Sequence, residues 1–166
     1  RHRAAGNPFV PLTRIKTFRK DGWKGPADLS AQFRMEWDET DEGRLFIEIQ
    51  VRDDVWSPPP ANAQPADFWK YDSLSLYFDT HADGYSAAPG SGLDTNDYRY
   101  DVAMQGDKPI VFRNANPQHQ ECFLQPKEID TAVACEIERT GEGYSCRLTI
   151  PQTRLLSFRI GPERLL

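Results

Sequence analysis

The chain has 166 residues, 27% of them charged, and a formal net charge of -5. That length suits one domain able to bury roughly 70% of the surface its unfolded form exposes. No basic cluster supplies the electrostatic footprint of a nucleic-acid or anionic-membrane partner, and no apolar run approaches the roughly 20 residues that cross a bilayer.

Residues 1–19 read as an extended lead-in, with an edge strand at Phe9-Val10-Pro11-Leu12 that Pro11 interrupts. The amino end, Arg1 to Gly6, lacks the apolar stretch of a signal peptide, so a removed leader or an excised segment is expected. Trp23, after Asp21-Gly22, is expected as a lid on the base of the fold. From Ala31 to Asp38 and from Leu45 to Arg52, apolar and polar residues alternate with a period of two, which predicts a hairpin with a core face and a wet face. The core face carries Ala31, Phe33, Met35 and Trp37 on one strand and Leu45, Ile47, Ile49 and Val51 on the next. The wet face carries Glu48, Gln50 and Arg52, and also Phe46. The second strand runs into Asp53-Asp54-Val55-Trp56, placing acids and an indole at the rim of a sheet, where binding groups sit on a rigid scaffold.

Ser57 to Pro65 is a proline-rich, stiff loop without ladder donors. Asp72 to Asp79 predicts a strand with Leu74, Leu76 and Phe78 inward. The glycine- and acid-rich stretch from Thr80 to Asn96 is long enough to imply a role. Tyr98 to Met104 and Ile110 to Arg113 are further strands, and Asn114 to Gln120 a polar turn. Ala132 to Arg139 and Tyr144 to Ile150 form a second hairpin about Thr140 to Gly143, and Pro151 to Leu156 starts one helical turn. Short strands, turn signals and 13 prolines predict an all-β fold, an antiparallel two-sheet β-sandwich of jelly-roll type with at most one or two helical turns, spanning residues 20–166. Cys122, Cys135 and Cys146 are too few for a disulfide scaffold and lack zinc-ribbon spacing. The second hairpin makes Cys135 and Cys146 diagonal neighbours, for which buried free thiols are expected ahead of a bridge.

The order of short words along the chain resembles the family-nine carbohydrate-binding modules and their DOMON-like relatives. Those words are Asp28-Leu-Ser-Ala31, Trp37-Asp38, Val51-Arg-Asp-Asp54, Trp69-Lys-Tyr-Asp72-Ser73 and Gly143-Tyr144 through Ile150-Pro151. Arg147 stands where that family commonly has an acid, and Gln152 where an aromatic often follows. The resemblance covers about residues 20 to 151 and implies a sugar-binding β-sandwich. Similar domains continue past the Ile-Pro segment, whereas this chain stops at Arg164-Leu-Leu166, so continuation in a larger polypeptide is expected.

Sugar rings pack their C–H faces on indoles while their hydroxyls need hydrogen-bond partners. Trp56 and Trp69 bracket the proline loop and are the candidate walls of a slot, with Arg52, Asp54, Asn62, Gln64 and Lys70 as polar partners; family-nine modules clamp a terminal sugar between two tryptophans. The other possibility is that one or both indoles plug the loop onto the core. Asp79-Thr-His-Ala-Asp83-Gly84 has part of an EF-type spacing, but His81 and Gly90 occupy positions that need acids. A looser oxygen cage of Asp79, Asp83, Asp94 and Asp97 is the candidate calcium site, and relatives often carry structural calcium; the competing reading is an Asp-Gly turn with solvated acids. Met35, Met104 and His119 are haem-ligand types only, and no haem is expected. No Gly-x-Ser-x-Gly elbow exists, and His2, His81 and His119 lack a nucleophile partner, so no enzyme is expected.

The resulting expectation is a non-catalytic domain of a larger extracellular or periplasmic bacterial protein that acts on polysaccharide. Its partners are an oligosaccharide or polysaccharide and covalently linked neighbouring domains. The alternative is a structural or protein-interaction sandwich without sugar binding.

Overall fold

The computed structural model describes residues 7–12, 24–38, 43–79, 97–114 and 128–155. The predicted lid Trp23, the three histidines, Cys122, Asp83 and Asp94 lie outside them. The fold is all-β, with two antiparallel sheets and two short 3-10 turns, the two-sheet class predicted for a β-sandwich.

The first sheet is ordered β1-β2-β3-β9-β8, with β1 at Val10–Pro11, β2 at Leu29–Asp38, β3 at Arg44–Asp53, β8 at Ala134–Thr140 and β9 at Gly143–Pro151. The second is ordered β4-β5-β6-β7, from Ser73–Phe78, Tyr98–Gln105, Lys108–Arg113 and Glu128–Ile129. The chain divides into two compact units, and each sheet lies in one of them: residues 57–133 and 152–159 form the second unit and the remainder the first.

In the first unit, β2 and β3 pair in register from Leu29↔Asp53 to Asp38↔Arg44. The alternating pattern takes effect as expected on β3, where Leu45, Ile47, Ile49 and Val51 are buried. β9 continues that face with Tyr144, Cys146, Leu148 and Ile150, because Val51 stands opposite Tyr144 and Leu45 opposite Ile150. On β2 the alternation is blurred: Phe33, Met35 and Trp37 are only half-buried, and among the described strands only the two-residue β1 pairs with the outer edge of β2. β1 pairs Val10 with Phe33, and Pro11, which has no N–H to donate, fits a sheet edge.

In the second unit, Tyr100, Val102, Ala103, Val111 and Phe112 are buried on β5 and β6. Phe68, fully buried, anchors a 3-10 turn at Pro65–Lys70 that the prolines of the preceding loop did not reveal. The predicted turn after Ile150 is a 3-10 turn at Gln152–Arg154. Its Arg154 donates to Asp130 at 2.9 Å and shares Glu128 with Arg113, while the Tyr100 hydroxyl donates to the Arg154 carbonyl at 3.0 Å. Asp130 is buried, and a buried carboxylate held by two guanidinium groups meets the requirement that interior charge be paired.

Candidate functional site

The end of β3 carries the site. Ser30, Arg52, Gly143 and Thr140 form one rung across β2, β3, β9 and β8, and the β8–β9 turn at Gly141-Glu142 closes the strand ends beside it. Gly143 makes that approach feasible: its φ is +153°, and a Cβ there would lie 2.1 Å from the Val51 carbonyl oxygen. The Asp53 N–H donates to the Glu142 carbonyl at 3.0 Å, tying the turn to the strand end. The Asp53 carboxylate then accepts the Val55 N–H at 3.0 Å, an Asx turn that redirects the chain and sets the position of Trp56.

The Trp56 indole meets the Tyr144 ring edge to face, with centroids 5.2 Å apart and planes at 62°. The Arg139 guanidinium lies over the indole at 5.3 Å. Beside them opens a cleft of about 250 Å³, lined among others by Arg52, Asp54, Trp56, Arg139 and Glu142. Arg52 and Glu142 approach to only 3.7 Å and both are largely solvent-facing, so their donors and acceptors remain available to a ligand. An apolar ring wall beside guanidinium donors and carboxylate acceptors is chemistry suited to a small polyhydroxylated ring.

Of the residues singled out in the sequence, Arg52, Asp54 and Trp56 therefore share one cleft. Asn62, Gln64, Trp69 and Lys70 belong to the second unit. Asn62 and Gln64 are exposed, and Trp69 is 68% exposed on the 3-10 turn whose other side buries Phe68. Lys70 lies 5.5 Å from the Trp69 ring and 2.8 Å from the Asp67 carboxylate; the hydrogen bond to Asp67 raises its pKa. Sequence reasoning missed Arg139, Glu142 and Tyr144. The hairpin that holds them was legible, but its pairing with β3, which brings them to Trp56, was not.

Asp79 follows β4 and Asp97 precedes β5, and the rung Phe78↔Tyr98 sets them at the same end of the second sheet. Asp97 is buried and Asp79 exposed. Oxygen ligands of this kind suit a hard cation, though among the described residues no three potential ligands cluster. Met35 and Met104 are half-buried on β2 and β5. No helix among the described residues is long and apolar enough to cross a membrane.

A family model described as carbohydrate family 9 binding domain-like matches residues 9–159. No curated protein and no solved structure matches the chain.

Proposed function

This chain belongs to the carbohydrate family 9 binding domain-like family, and from that membership we propose that it binds sugar without transforming it, in the cleft beside Trp56. The observation that carries the reading is the indole wall flanked by Arg52, Arg139, Asp54 and Glu142 in a space of about 250 Å³. Stacking on the ring supplies affinity, and the charged rim selects among hydroxyl patterns, since each hydrogen bond to a charged group contributes about 1.5–3 kcal/mol. Exposed Trp69 is a second candidate platform, contributed by the other unit. The domain is an accessory part of a larger extracellular or periplasmic protein that acts on polysaccharide, to which it supplies attachment.

Titration with soluble mono- and oligosaccharides while recording tryptophan fluorescence tests this. Trp56→Ala is expected to weaken binding by at least about tenfold, and Trp69→Ala reports whether the exposed indole takes part. Flat titrations across a broad glycan panel would sink the sugar reading, and release of reducing ends by the isolated domain would sink the non-catalytic one.

A structural calcium ion is part of the same proposal, held by Asp79 and Asp97 together with Asp83 and Asp94. Removing it with EDTA should lower the thermal midpoint by at least about 3 °C, with recovery on adding calcium. An unchanged midpoint discards the ion.

A further inference from the structure

One face of the first sheet carries the buried row of Leu45, Ile47, Ile49 and Val51; the other is largely polar, with hollows of about 440 and 740 Å³ over it. The register orders its side chains across four strands. One rung reads Arg34, Glu48, Arg147, Glu136 from β2 through β3 and β9 to β8, and the next reads Gln32, Gln50, Ser145, Glu138. On either side of these lie the rungs Glu36, Phe46, Thr149, Ala134 and Ser30, Arg52, Gly143, Thr140. Charge therefore alternates in sign across the first rung, and ion pairs hold it in that order. Arg34 meets Glu48 at 2.5 Å, and Arg147 lies between Glu136 at 3.3 Å and Glu138 at 3.5 Å. These pairs do not seal the row, since the Arg147 and Glu136 side chains are 51% and 68% exposed.

An alternating row of even length changes sign about its midline, which here runs along the strands between β3 and β9. A two-fold axis parallel to that line lays the face of a second copy on the first, with β2 over β8 and β3 over β9. Arg34 then opposes Glu136 of the second copy, Glu48 opposes Arg147, Gln32 opposes Glu138 and Gln50 opposes Ser145. On the outer rungs Phe46 covers Thr149, Glu36 covers Ala134 and Arg52 covers Gly143. Like charges face each other on none of the four rungs. An axis across the strands fails this test: it sets Arg34 on Arg34 through the charged rung, or Glu138 on Glu138 through the next. Sheet twist also survives the favoured operation, because rotation about a line along the strands carries a regularly twisted surface onto itself and keeps the two faces parallel.

We propose that this face is an isologous interface between two copies of the chain, related by a two-fold axis along the strands between β3 and β9. The interface is independent of the sugar-binding reading of the cleft. Four strands at a spacing of about 4.8 Å span about 19 Å, and six residues of β3 span about 20 Å, a projected footprint of roughly 400 Å² per copy. So small and polar a footprint gives a reversible dimer with a dissociation constant of about 0.1 mM, not an obligate one. Alternating charge fixes its register, and salt weakens it. Because the axis keeps strand direction, both β8–β9 turns, and with them both Trp56 clefts, emerge at the same pole of the pair and face one surface together.

Sedimentation equilibrium of the chain from about 10 µM to 1 mM, with charge reversals, tests it. In Arg34→Glu and in Glu136→Arg, like charges oppose across the axis, and each variant is expected to dimerise at least about tenfold more weakly than the parent chain. An equimolar mixture of the two variants restores unlike charges at every opposed pair and should dimerise within about threefold of the parent. Effects inside one chain cannot produce that rescue, since each reversal meets the same neighbour, Glu48 or Arg147, whichever copy it faces. Raising salt from about 0.05 to 0.5 M should weaken the parent dimer at least about fivefold. Cooperative thermal unfolding shows that each variant is folded. Should a reversal fail to fold, Arg34→Gln and Glu136→Gln are each expected to weaken dimerisation at least about threefold, and unchanged dimerisation in both overturns the interface. A parent chain that stays monomeric to about 1 mM, a dimer that neither reversal weakens, or a mixture no stronger than its components overturns it as well.

Discussion

Single positions decide whether this site can form, and Gly143 is the sharpest case. Its φ of +153° and the 2.1 Å that would separate a Cβ from the Val51 carbonyl leave no room for alanine. Gly143→Ala is expected to cost at least about 2 kcal/mol, because a disfavoured backbone angle and a clash with main chain add. Urea unfolding would measure it, and an unchanged midpoint would show that β9 can shift away from β3. The sequence marked this glycine as part of a turn, yet the reason it must be glycine lies in a strand some ninety residues earlier, which local pattern does not reach. The pair Phe68 and Trp69 shows the same limit. Both are aromatic neighbours at the end of a proline-rich loop, and only the 3-10 turn decides that Phe68 is the plug and Trp69 the exposed ring.

Elements were more legible than positions, since strands announce themselves by a period of two. β3, β9 and the β8–β9 turn fall where alternation puts them, and the burial of Leu45 through Ile150 follows from it. Pairing between distant strands was not legible, because any half-buried strand offers the same apolar face; the adjacency of β3 and β9 thus appeared only in three dimensions. The β8–β9 register also settles the thiols. Cys135 stands opposite Leu148 and Cys146 opposite Ile137, so the two cysteines are diagonal, and both are free. Diagonal partners lie about 7–8 Å apart, beyond the separation of up to about 6.8 Å that a disulfide usually spans. Alkylation without reductant should label both cysteines in unfolded protein, with Cys146 the slower in the native state, where a hydrogen bond with Cys135 and burial push its thiol pKa upward. Recovery of a cross-linked peptide pair would refute this.

For the molecule as a whole, composition and pattern yielded an all-β class with two sheets, while the placement of residues 57–133 and 152–159 in a separate compact unit was not foreseen. Stability should depend on pH at the alkaline end. Burial holds the Tyr100 hydroxyl above its ordinary value of 10.0, and Cys146 is likewise raised from 9.0. Groups raised in the folded state contribute fully below their unfolded values, and that contribution drains away as pH climbs toward the folded ones. The urea midpoint should thus hold to about pH 9 and then fall, each group adding up to about 1.4 kcal/mol per pH unit once its unfolded form has ionised. Tyr100→Phe should remove its share of the slope above pH 10; an unaltered slope would show that Tyr100 is not its source. One last property follows from β8, which borders the first sheet and pairs with β9 alone among the described strands. No described strand pairs with its outer row of amides, and Glu136 and Glu138 belong to the same strand. Two copies meeting along this border would crowd four carboxylates together, so the border discourages fibre-like self-association at high concentration.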